Sequence, residues 1–412
     1  MLLSRRELVK LSGAAAVATA VPGSVAKAED LPGPIAALEP MTDGVSPITL
    51  EERQARLARA QTLMAEDGLD AVVLAAGTSL AYFSGASWRN SERFFGMVLS
   101  REGEPAWVTP ALERERAGAQ REEHESPYAL VASILSDRKA AQGRVGIGET
   151  MPFVFAHEIG KAVPGATIAS ATAVTAGCRM IKDAHELALM RRANEITLRA
   201  HRAVFASLEL GMTKSEASHL SVAAHERLGI NGGALVLFGA DAAYPHGTTK
   251  PQPLKRGDVV LIDGGGRLHG YRSDITRTGV FGAPPTDRQR KVWNVVRKAQ
   301  QAAFEAARPG VECQAVDAAA REAVEKAGFG AGYEHFSHRV GHGIGMDGHE
   351  WTYLVRGNTA KLRPGMCFSD EPGIYIYGEM GVRHEDIIHI TADGAESLTP
   401  WSGSPEDPAV LD

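Results

Sequence analysis

Short apolar runs alternate with helical patterns over residues 50–170. The pattern predicts a helix over 50–66, with Gly68 placed to end it. Further helical stretches lie near 111–121 and 154–163. Apolar runs of strand length lie between them, at 71–75, 94–99, 106–108, 144–147 and 166–169. This alternation predicts an α/β domain.

One order of elements occurs twice in the rest of the chain. The first copy has two helical patterns and three strand-like segments, at 183–209, 213–228, 234–238, 258–263 and 271–281. The second copy has the same order, at 286–307, 312–327, 336–340, 366–376 and 382–391. Each copy is roughly 100 residues long, and the repeated order predicts an internal structural duplication.

The composition is that of an ordinary soluble globular protein. The chain has 412 residues, of which 44% are hydrophobic and 23% charged, with a formal net charge of −6. A length of this size favours about two or three domains. A normal apolar fraction excludes disorder across the whole chain, and the lack of an apolar run of about twenty residues excludes a polytopic membrane protein. The balanced charge argues against nucleic-acid binding.

The cysteines and one glycine motif exclude further classes. The three cysteines form no C-x-x-C pair, which excludes a disulfide scaffold and a Cys-rich zinc module. We expect Cys178, Cys313 and Cys367 to be packing residues. The segment 343–348 matches G-x-G-x-x-G, but no strand-to-helix context surrounds it, so dinucleotide binding is not expected.

Residues 1–28 have the order of a twin-arginine export signal. The motif S-R-R-x-x-x-K begins at Ser4, a short Ala-rich core follows, and A-K-A at 26–28 supplies the small residues of a cleavage site. We therefore predict export to the periplasm, without stable insertion in the membrane. Residues 29–48 carry four prolines and little periodicity, which predicts an extended leader.

Each copy of the duplication contains one hairpin with two acids. Asp263 and Asp274 are eleven residues apart, and a G-G-G turn signal lies between them. Glu371 and Glu385 are fourteen residues apart, with Gly378 at their midpoint. If the strands fold back at these midpoints, the two carboxylates of each pair face each other across a turn.

Four such carboxylates require compensating charge. The strand residues before Asp263 and Glu371 are mostly apolar, so both acids should be buried. Buried, unpaired carboxylates are untenable, and two divalent cations would offset their four charges. A neutral imidazole from the His-rich turn around His342 could complete a dinuclear site. Ligands that are mostly oxygen atoms favour Mn²⁺ or a similar metal over a zinc site of the cysteine type.

The second half of the chain resembles the pita-bread metallopeptidases through four motifs, D-G-G-G…Y-R-S-D-I-T-R-T, G-H-G-I-G, E-P-G-I-Y and G-V-R-H-E-D. The resemblance covers about 182–398. It is closest to the branch of prolidase and aminopeptidase P, which adds a creatinase-like N-terminal domain. The implied fold is α/β (α+β), with the creatinase-like domain over 49–178 and a catalytic domain of duplicated halves over 179–412.

The resemblance also implies a role for each candidate site residue. The family's five metal ligands map onto Asp263, Asp274, His342, Glu371 and Glu385. Its catalytic histidines map onto His246 and His349, Glu371 also takes a catalytic part, and Arg383 matches the arginine that braces the last glutamate. The implied cofactors are two divalent metal ions, above all Mn²⁺, with Co²⁺, Zn²⁺ or Fe²⁺ as other candidates. The implied assembly is a homodimer or tetramer.

The implied reaction is hydrolysis of the Xaa-Pro bond of a dipeptide or short peptide. Two metals that share a water lower its pKa and provide hydroxide near neutral pH, and one of them polarises the scissile carbonyl. His246 and His349 can donate hydrogen bonds to the tetrahedral intermediate. Glu371 can carry the proton from the water to the leaving proline nitrogen.

Two other functions stay open at this stage. The same metal site could act as a hydrolase or lyase on a small non-peptide compound. A non-catalytic binding module is the other alternative, although its mark would be eroded ligands and all five are present.

The histidine-rich segment departs from the family at one place. Relatives in the prolidase branch often carry proline two residues after the glutamate of H-E, where this chain has Thr352 after Trp351. This departure alters one wall of the leaving-group pocket. His338 is a further candidate beside the site, whereas His384 and His389 are predicted to be structural.

Overall fold

A computed structural model describes residues 31–113 and 122–411 of the chain. These residues form two compact units. One unit contains residues 48–179, and the other contains residues 180–411 together with 31–47.

The leader segment is not wholly extended, contrary to the prediction, because it contains helix α1 (Gly33–Ala36). Pro34 lies in the first turn of this helix, where its missing N–H removes no hydrogen bond, and Ile35 is buried. A helix of four residues is too short to produce a hydrophobic period. The predicted export signal over 1–28 lies outside the described residues.

The first unit has a five-stranded sheet. Its first helix, α2 (Leu50–Asp67), begins with a capping box of Thr49 and Glu52 and ends at Gly68, whose φ is 72°. The strands are β1 (Ala71–Ala75), β2 (Gly96–Ser100), β3 (Ala106–Val108), β4 (Arg144–Ile147) and β5 (Thr167–Ser170), in the spatial order β3-β2-β1-β4-β5. Strand β1 is parallel to β4 and antiparallel to β2. All five lie within two residues of the predicted runs.

The remaining helices of this unit are α3 (Thr78–Ser84), α4 (Pro127–Asp137), α5 (Phe153–Ala162) and α6 (Thr172–Arg179). Only α5 was predicted from the hydrophobic pattern. Helices α3 and α6 have 7 and 8 residues, too few to establish a period. Helix α4 carries a start signal, Ser126 as the cap and Pro127 in the first turn, that could have revealed it. Of the predicted helix near 111–121, the structure describes only a 3₁₀ turn, Ala111–Glu113.

The second unit has two pairs of helices, as the duplication predicts. They are α7 (Ala184–Ala206), α8 (Lys214–Arg227), α9 (Asp287–Ala306) and α10 (Cys313–Lys326). Capping boxes begin α7, α8 and α9, at Asp183, Thr213 and Thr286 respectively. All four helices lie within three residues of the predicted ranges, and for α7, α8 and α9 these local signals explain the agreement.

The strands of the second unit form two main sheets and one ribbon. The first copy contributes β6 (Asn231–Phe238), β7 (Val259–Leu268), β8 (Tyr271–Arg272) and β9 (Ile275–Val280). The second copy contributes β10 (Gly341–Gly343), β11 (Glu350–Leu354), β12 (Cys367–Asp370), β13 (Gly373–Ile376), β14 (Met380–Arg383), β15 (Asp386–Ile390) and β16 (Ala395–Ser397). The second main sheet has the order β11-β10-β12-β15-β16, and β13 pairs with β14.

Three predicted strands are interrupted, and each interruption falls at a predicted metal ligand. Asp274 separates β8 from β9, Glu371 separates β12 from β13, and Glu385 separates β14 from β15. The sequence carries a signal at each break, because polar residues stand at Asp274 and Glu385 and Pro372 follows Glu371. The predicted strand over 336–340 is wrong, because pairing with β11 and β12 begins only at Gly341. Strands β10, β11 and β16 were missed.

Buried apolar side chains form the core, and the cysteines are among the buried residues. Buried side chains of α9 and α10 pack with β12 and β15 in one cluster, which includes Val296, Val316, Phe368 and Ile388. The three cysteines are buried and free, as predicted. In the part of the chain that the structure describes, no helix combines the length and the apolar character needed to cross a bilayer.

Candidate metal centre and active site

The hairpin of β7 and β9 brings the first two acids together. Asp263 pairs with Thr276 across the two strands, and the chain reverses at His269 and Gly270, next to the predicted midpoint. A side chain at Gly265 would overlap the carbonyl oxygen of Ser273. The G-G-G sequence therefore permits a close approach of the strands that carry the two acids.

A second antiparallel ribbon opposes Glu371 and Glu385. Strand pairing places Asp370 opposite Asp386 and Gly373 opposite Arg383, in one continuous register. Glu371 and Glu385 occupy the intervening position of that register. The ribbon turns at Gly378, the predicted midpoint, where φ is 81°.

Thr276 joins the two hairpins. Its backbone forms a bridge with Glu385, with N···O distances of 3.3 and 3.1 Å. Its hydroxyl oxygen lies 3.0 Å from Asp263 Oδ1 and 2.6 Å from Glu385 Oε2. Because a hydroxyl has one proton, Thr276 donates to one carboxylate at a time and fixes the spacing between them.

His342 lies on β10 with its imidazole facing the acids. Its Nε2 is 3.3 Å from Glu371 Oε1 and 3.9 Å from Asp274 Oδ2. Its Nδ1 donates to the Gly343 carbonyl at 3.1 Å, which leaves the Nε2 lone pair free. Burial lowers the pKa of His342 to about 3, so the ring is neutral at physiological pH. One ligand atom each from Asp274, His342 and Glu385 lies within 4.8 Å of the other two.

The four carboxylates of the two hairpins have few positively charged partners. Among the described residues, Arg383 is the only Lys or Arg that forms an ion pair with any of the four, and its partner is Asp263. Burial, with the charge of Asp263, raises the pKa of Asp274 to about 7. Burial likewise raises the pKa of Glu371 to about 8, and burial with the other acids raises the pKa of Glu385 well above its usual range. This donor set, rich in oxygen and carrying excess negative charge, fits divalent cations.

A hydrogen-bonded chain holds Arg383 in place. Tyr375 Oη accepts from Arg383 Nη1 at 2.8 Å and lies 2.7 Å from His338 Nε2. His338 Nδ1 lies 2.7 Å from the Arg339 carbonyl, to which it donates, so its Nε2 accepts the Tyr375 proton. The network positions the guanidinium that pairs with Asp263.

All eight predicted site residues line one cavity of about 440 Å³. His349 is exposed, and its ring stacks on that of His342 with centroids 3.8 Å apart. Burial lowers the pKa of His349, and the positive charge of Arg339 adds to the shift. His246 lies in an exposed turn at the cavity edge. The structure brings these residues together, while their roles as ligands or catalysts stay predictions.

Sequence reasoning missed Thr276 and Tyr375. The predicted midpoint placed Asp274 opposite Asp263, whereas the observed register is shifted by two residues and places Thr276 there. The strand period gave no signal for Tyr375, because Glu371 and Pro372 interrupt the strand before it. His384 and His389 do not line the cavity, in agreement with a structural part. The G-x-G-x-x-G segment forms a loop between β10 and β11, with no helix after it.

Comparison with known proteins agrees with this geometry. Residues 188–392 match the model of metallopeptidase family M24, and residues 56–181 match the creatinase/prolidase N-terminal domain. The chain is 37% identical over 357 residues to a protein of Mycobacterium tuberculosis named "Probable dipeptidase PepE", which covers 83% of this chain and 93% of that protein. It is 33% identical over 345 residues to an Xaa-Pro dipeptidase of Pyrococcus horikoshii, with coverages of 82% and 94%.

A solved structure is similar to this chain over most of its length. The crystal structure of dipeptidase PepE from Mycobacterium ulcerans matches with a TM-score of 0.81 at 32% identity, over 88% of this chain and 99% of that one. The duplicated unit and its carboxylate-lined cavity define a metallopeptidase with the pita-bread fold. The chain belongs to metallopeptidase family M24 and carries the creatinase/prolidase N-terminal domain. The predicted fold class and enzyme class are thus confirmed.

Proposed function

We propose that this metallopeptidase hydrolyses the Xaa-Pro bond of dipeptides or short peptides. The observation that carries the proposal is the single cavity that gathers four carboxylates, a neutral imidazole and two exposed histidines. The names of two relatives, dipeptidase and Xaa-Pro dipeptidase, support the substrate class.

Two divalent metal ions, most readily Mn²⁺, would be held by Asp263, Asp274, His342, Glu371 and Glu385. When bound, such ions supply an activated water and polarise the scissile carbonyl. The neutral state of His342 and the oxygen-rich set of ligands support this choice of metal.

The chain's own residues perform the remaining steps. His349 and His246, at the cavity edge, donate hydrogen bonds to the oxygen that becomes negative in the transition state. Glu371 takes a proton at its carboxylate and delivers it to the leaving proline nitrogen. Arg383 orients Asp263 through their ion pair.

The test is a substrate panel with the mature chain, first stripped of metal and then reconstituted with Mn²⁺. Ala-Pro, Ala-Pro-Ala, Ala-Ala and Ala-Ala-Ala are compared by release of alanine. We expect cleavage of the two proline substrates, loss of activity on chelation and recovery with Mn²⁺ or Co²⁺. Equal cleavage of the alanine substrates would reject proline selectivity. Full activity without bound metal would reject the metal centre.

We also propose that the chain is exported by the twin-arginine route and assembles as a homodimer or tetramer. The sequence of residues 1–28 supports the first part, and the family supports the second. Light scattering on the purified mature chain measures its mass directly. A monomer at micromolar concentration would reject the assembly.

A further inference from the structure

His246 lies in a tight turn, with its side chain exposed at the edge of the candidate active-site cavity. The Gly247 N–H donates to the Tyr244 carbonyl at 2.8 Å, which places Pro245 and His246 at the two central positions of the turn. Because the imidazole is exposed, packing around the ring does not fix its position. The position of the ring therefore depends on what holds the backbone of the turn.

Asp241 joins the chain before this turn to the chain after it. Its carboxylate is buried, with 1% of the side chain exposed. The Thr248 hydroxyl donates to Asp241 Oδ1 at 2.5 Å, and the Asp241 carbonyl accepts from the Tyr244 N–H at 3.1 Å. One aspartate is therefore bonded to residues on both sides of His246, and it closes the segment 241–248 into a loop.

Lys214 attaches this loop to helix α8, of which it is the first residue. Its ammonium group pairs with Asp241 Oδ2 and donates to the Thr248 carbonyl at 2.8 Å. Its side chain is 17% exposed. Hydrogen bonds between charged partners are stronger than neutral ones, so one cation fixes both ends of the loop to a helix.

The middle of the turn is held from other directions. Arg383 Nη1 donates to the Pro245 carbonyl at 3.5 Å. Gly247 has a φ of 71°, and a Cβ at this position would lie 2.5 Å from Leu237 Cδ2 of β6, so the turn packs closely on that strand. A donor to a developing oxyanion must lie within about 3 Å of that oxygen, so a small displacement of the turn matters for catalysis.

We propose that Asp241, paired with Lys214, is a positioning residue for His246. It holds the turn so that the imidazole reaches the oxygen that becomes negative in the transition state. Asp241 is not among the described residues that line the cavity, so its effect on the reaction passes through His246. This inference rests on the proposed peptidase function and extends it to a residue behind the cavity wall.

The test is a double-mutant cycle of Asp241→Ala and His246→Ala, with Ala-Pro as the substrate and each rate taken per folded molecule. Asp241→Ala should keep its metal and lower kcat by about 10- to 100-fold, because a misplacement of about 1 Å in a catalytic group can cost that factor. KM should change less, since the contact forms mainly in the transition state. In the His246→Ala background, Asp241→Ala should cost less than about two-fold, since the two residues act as one unit.

Asp70→Ala is the matched control. Asp70 also combines an ion pair, with Arg101 at 3.2 Å, and an accepted hydrogen bond, from the Arg144 N–H at 2.8 Å, and all three residues lie in the first unit. It should leave kcat per folded molecule unchanged. Lys214→Met should lower kcat as Asp241→Ala does, whereas Lys214→Arg, which keeps the charge, should retain most of it. If Asp241→Ala does not fold, Lys214→Met takes its place in the cycle.

Three results would overturn the inference. The first is an unchanged kcat in Asp241→Ala. The second is an undiminished cost of Asp241→Ala in the His246→Ala background, because the two residues would then act independently. The third is a loss of bound metal in Asp241→Ala, which would make the aspartate a support of the metal centre instead of His246.

A measurement without substrate separates this inference from the proposed function. In a chain made with isotope-labelled histidine, the nuclear magnetic resonance signal of His246 is identified by its absence in His246→Ala. Asp241→Ala should move this signal and increase the mobility of the ring, and Asp70→Ala should do neither. If the unsubstituted chain cleaves no Xaa-Pro substrate, the proposed function fails, and the resonance measurement alone decides the role of Asp241. An unchanged position and mobility of the His246 ring in Asp241→Ala overturns it.

Discussion

At the scale of single residues, burial shifts the pKa values of the groups that line the active-site cavity. Asp274, Glu371 and Glu385 have raised pKa values because they are buried together, whereas His342 is held neutral. His349 lies outside this group of acids and contacts the His342 ring. The site therefore separates groups suited to bind metal from groups suited to contact substrate.

Replacing His349 with alanine should reduce catalysis without removing metal. We expect His349→Ala to keep most of its metal and to lose about 10²–10³ in kcat, the size of one lost oxyanion donor. KM should change less, since the contact forms mainly in the transition state. Metal content, melting temperature and kcat on Ala-Pro are measured on one preparation. A metal-free His349→Ala protein would make His349 a ligand.

Asp274→Asn should remove metal and activity together. The substitution keeps the size of the side chain but removes a charge that faces His342 Nε2 at 3.9 Å. Asp393→Asn, at an exposed aspartate, is the matched control and should retain both properties. Elemental analysis and kcat are the measurements. An Asp274→Asn protein with full metal content would remove Asp274 from the set of ligands.

At the scale of elements, Glu350 fixes the loop that carries His349. Its Oε1 accepts from the backbone N–H groups of Met346 and Asp347, at 2.9 and 3.1 Å. Its Oε2 lies 3.2 Å from Lys182 Nζ, and both side chains are buried, with 5% and 2% exposure. The loop between β10 and β11 is thus attached to the start of the second unit, here called the catalytic unit because it contains the candidate active site.

Glu350→Gln should destabilise the catalytic unit and disturb the His349 loop. Leaving the Lys182 ammonium buried without a partner costs about 3 kcal/mol or more in the free energy of unfolding. Glu322→Gln is the control, because its pair with Lys326 is exposed and is worth about 0–1 kcal/mol. Denaturant unfolding and kcat per folded molecule are compared. Equal destabilisation by the two substitutions would refute the role of Glu350.

In the second unit, the sequence predicted helices better than strand ends. Helices such as α7 and α9 carry capping boxes and long apolar stripes, which are local signals. The strand over 336–340 was predicted from local pattern alone. In the fold, the Arg321 guanidinium donates hydrogen bonds to the carbonyl oxygens of Phe336 and His338. This segment is therefore held by a side chain instead of by hydrogen bonds to a neighbouring strand. A partner from the preceding helix, 15 and 17 residues away, leaves no trace in the local sequence.

At the scale of the whole molecule, metal binding should be linked to folding of the catalytic unit. The two hairpins that carry the acids meet at Thr276 and Glu385, which are 109 residues apart in sequence. Ions held by both hairpins would join the two halves of the duplication. Their binding stabilises the folded state by mass action.

The metal-free protein should lose stability as the pH rises from about 6.5 to 8. The folded-state pKa values of Asp274 and Glu371, about 7 and 8, lie above the values near 4 of an unfolded chain. The folded state therefore binds more protons than the unfolded state in this range, and the free energy of unfolding falls with pH. Buried histidines such as His338, with a pKa near 3, act oppositely but only below about 6.5.

The measurement is the melting temperature between pH 6.5 and 8, with and without Mn²⁺. Because the metal binds ionised carboxylates, its stabilising effect should increase over the same range. Asp274→Asn should flatten the metal-free profile. A melting temperature of the metal-free protein that rises from pH 6.5 to 8 would contradict the raised pKa values.

The proposed export signal leads to a separate prediction for the whole chain. Replacing both Arg5 and Arg6 with lysine should trap the precursor in the cytoplasm, because the arginine pair would be the recognition element of the proposed signal. Fractionation and the mass of the recovered protein distinguish precursor from processed chain. The single replacement of Lys27 with arginine serves as a control. Processed periplasmic protein in undiminished yield from the double variant would reject this route.

The sequence by itself determined the four helices of the second unit, the two acid hairpins and the family motifs. Each depends on a local period, a cap or a turn within one short segment, so the signal lies in neighbouring residues. The tertiary structure decided which groups surround the acids. The Thr276 hydroxyl between two carboxylates and the chain from His338 through Tyr375 to Arg383 both depend on contacts between distant segments. Burial and charge at those contacts, rather than residue type alone, set the pKa values of the groups that line the cavity.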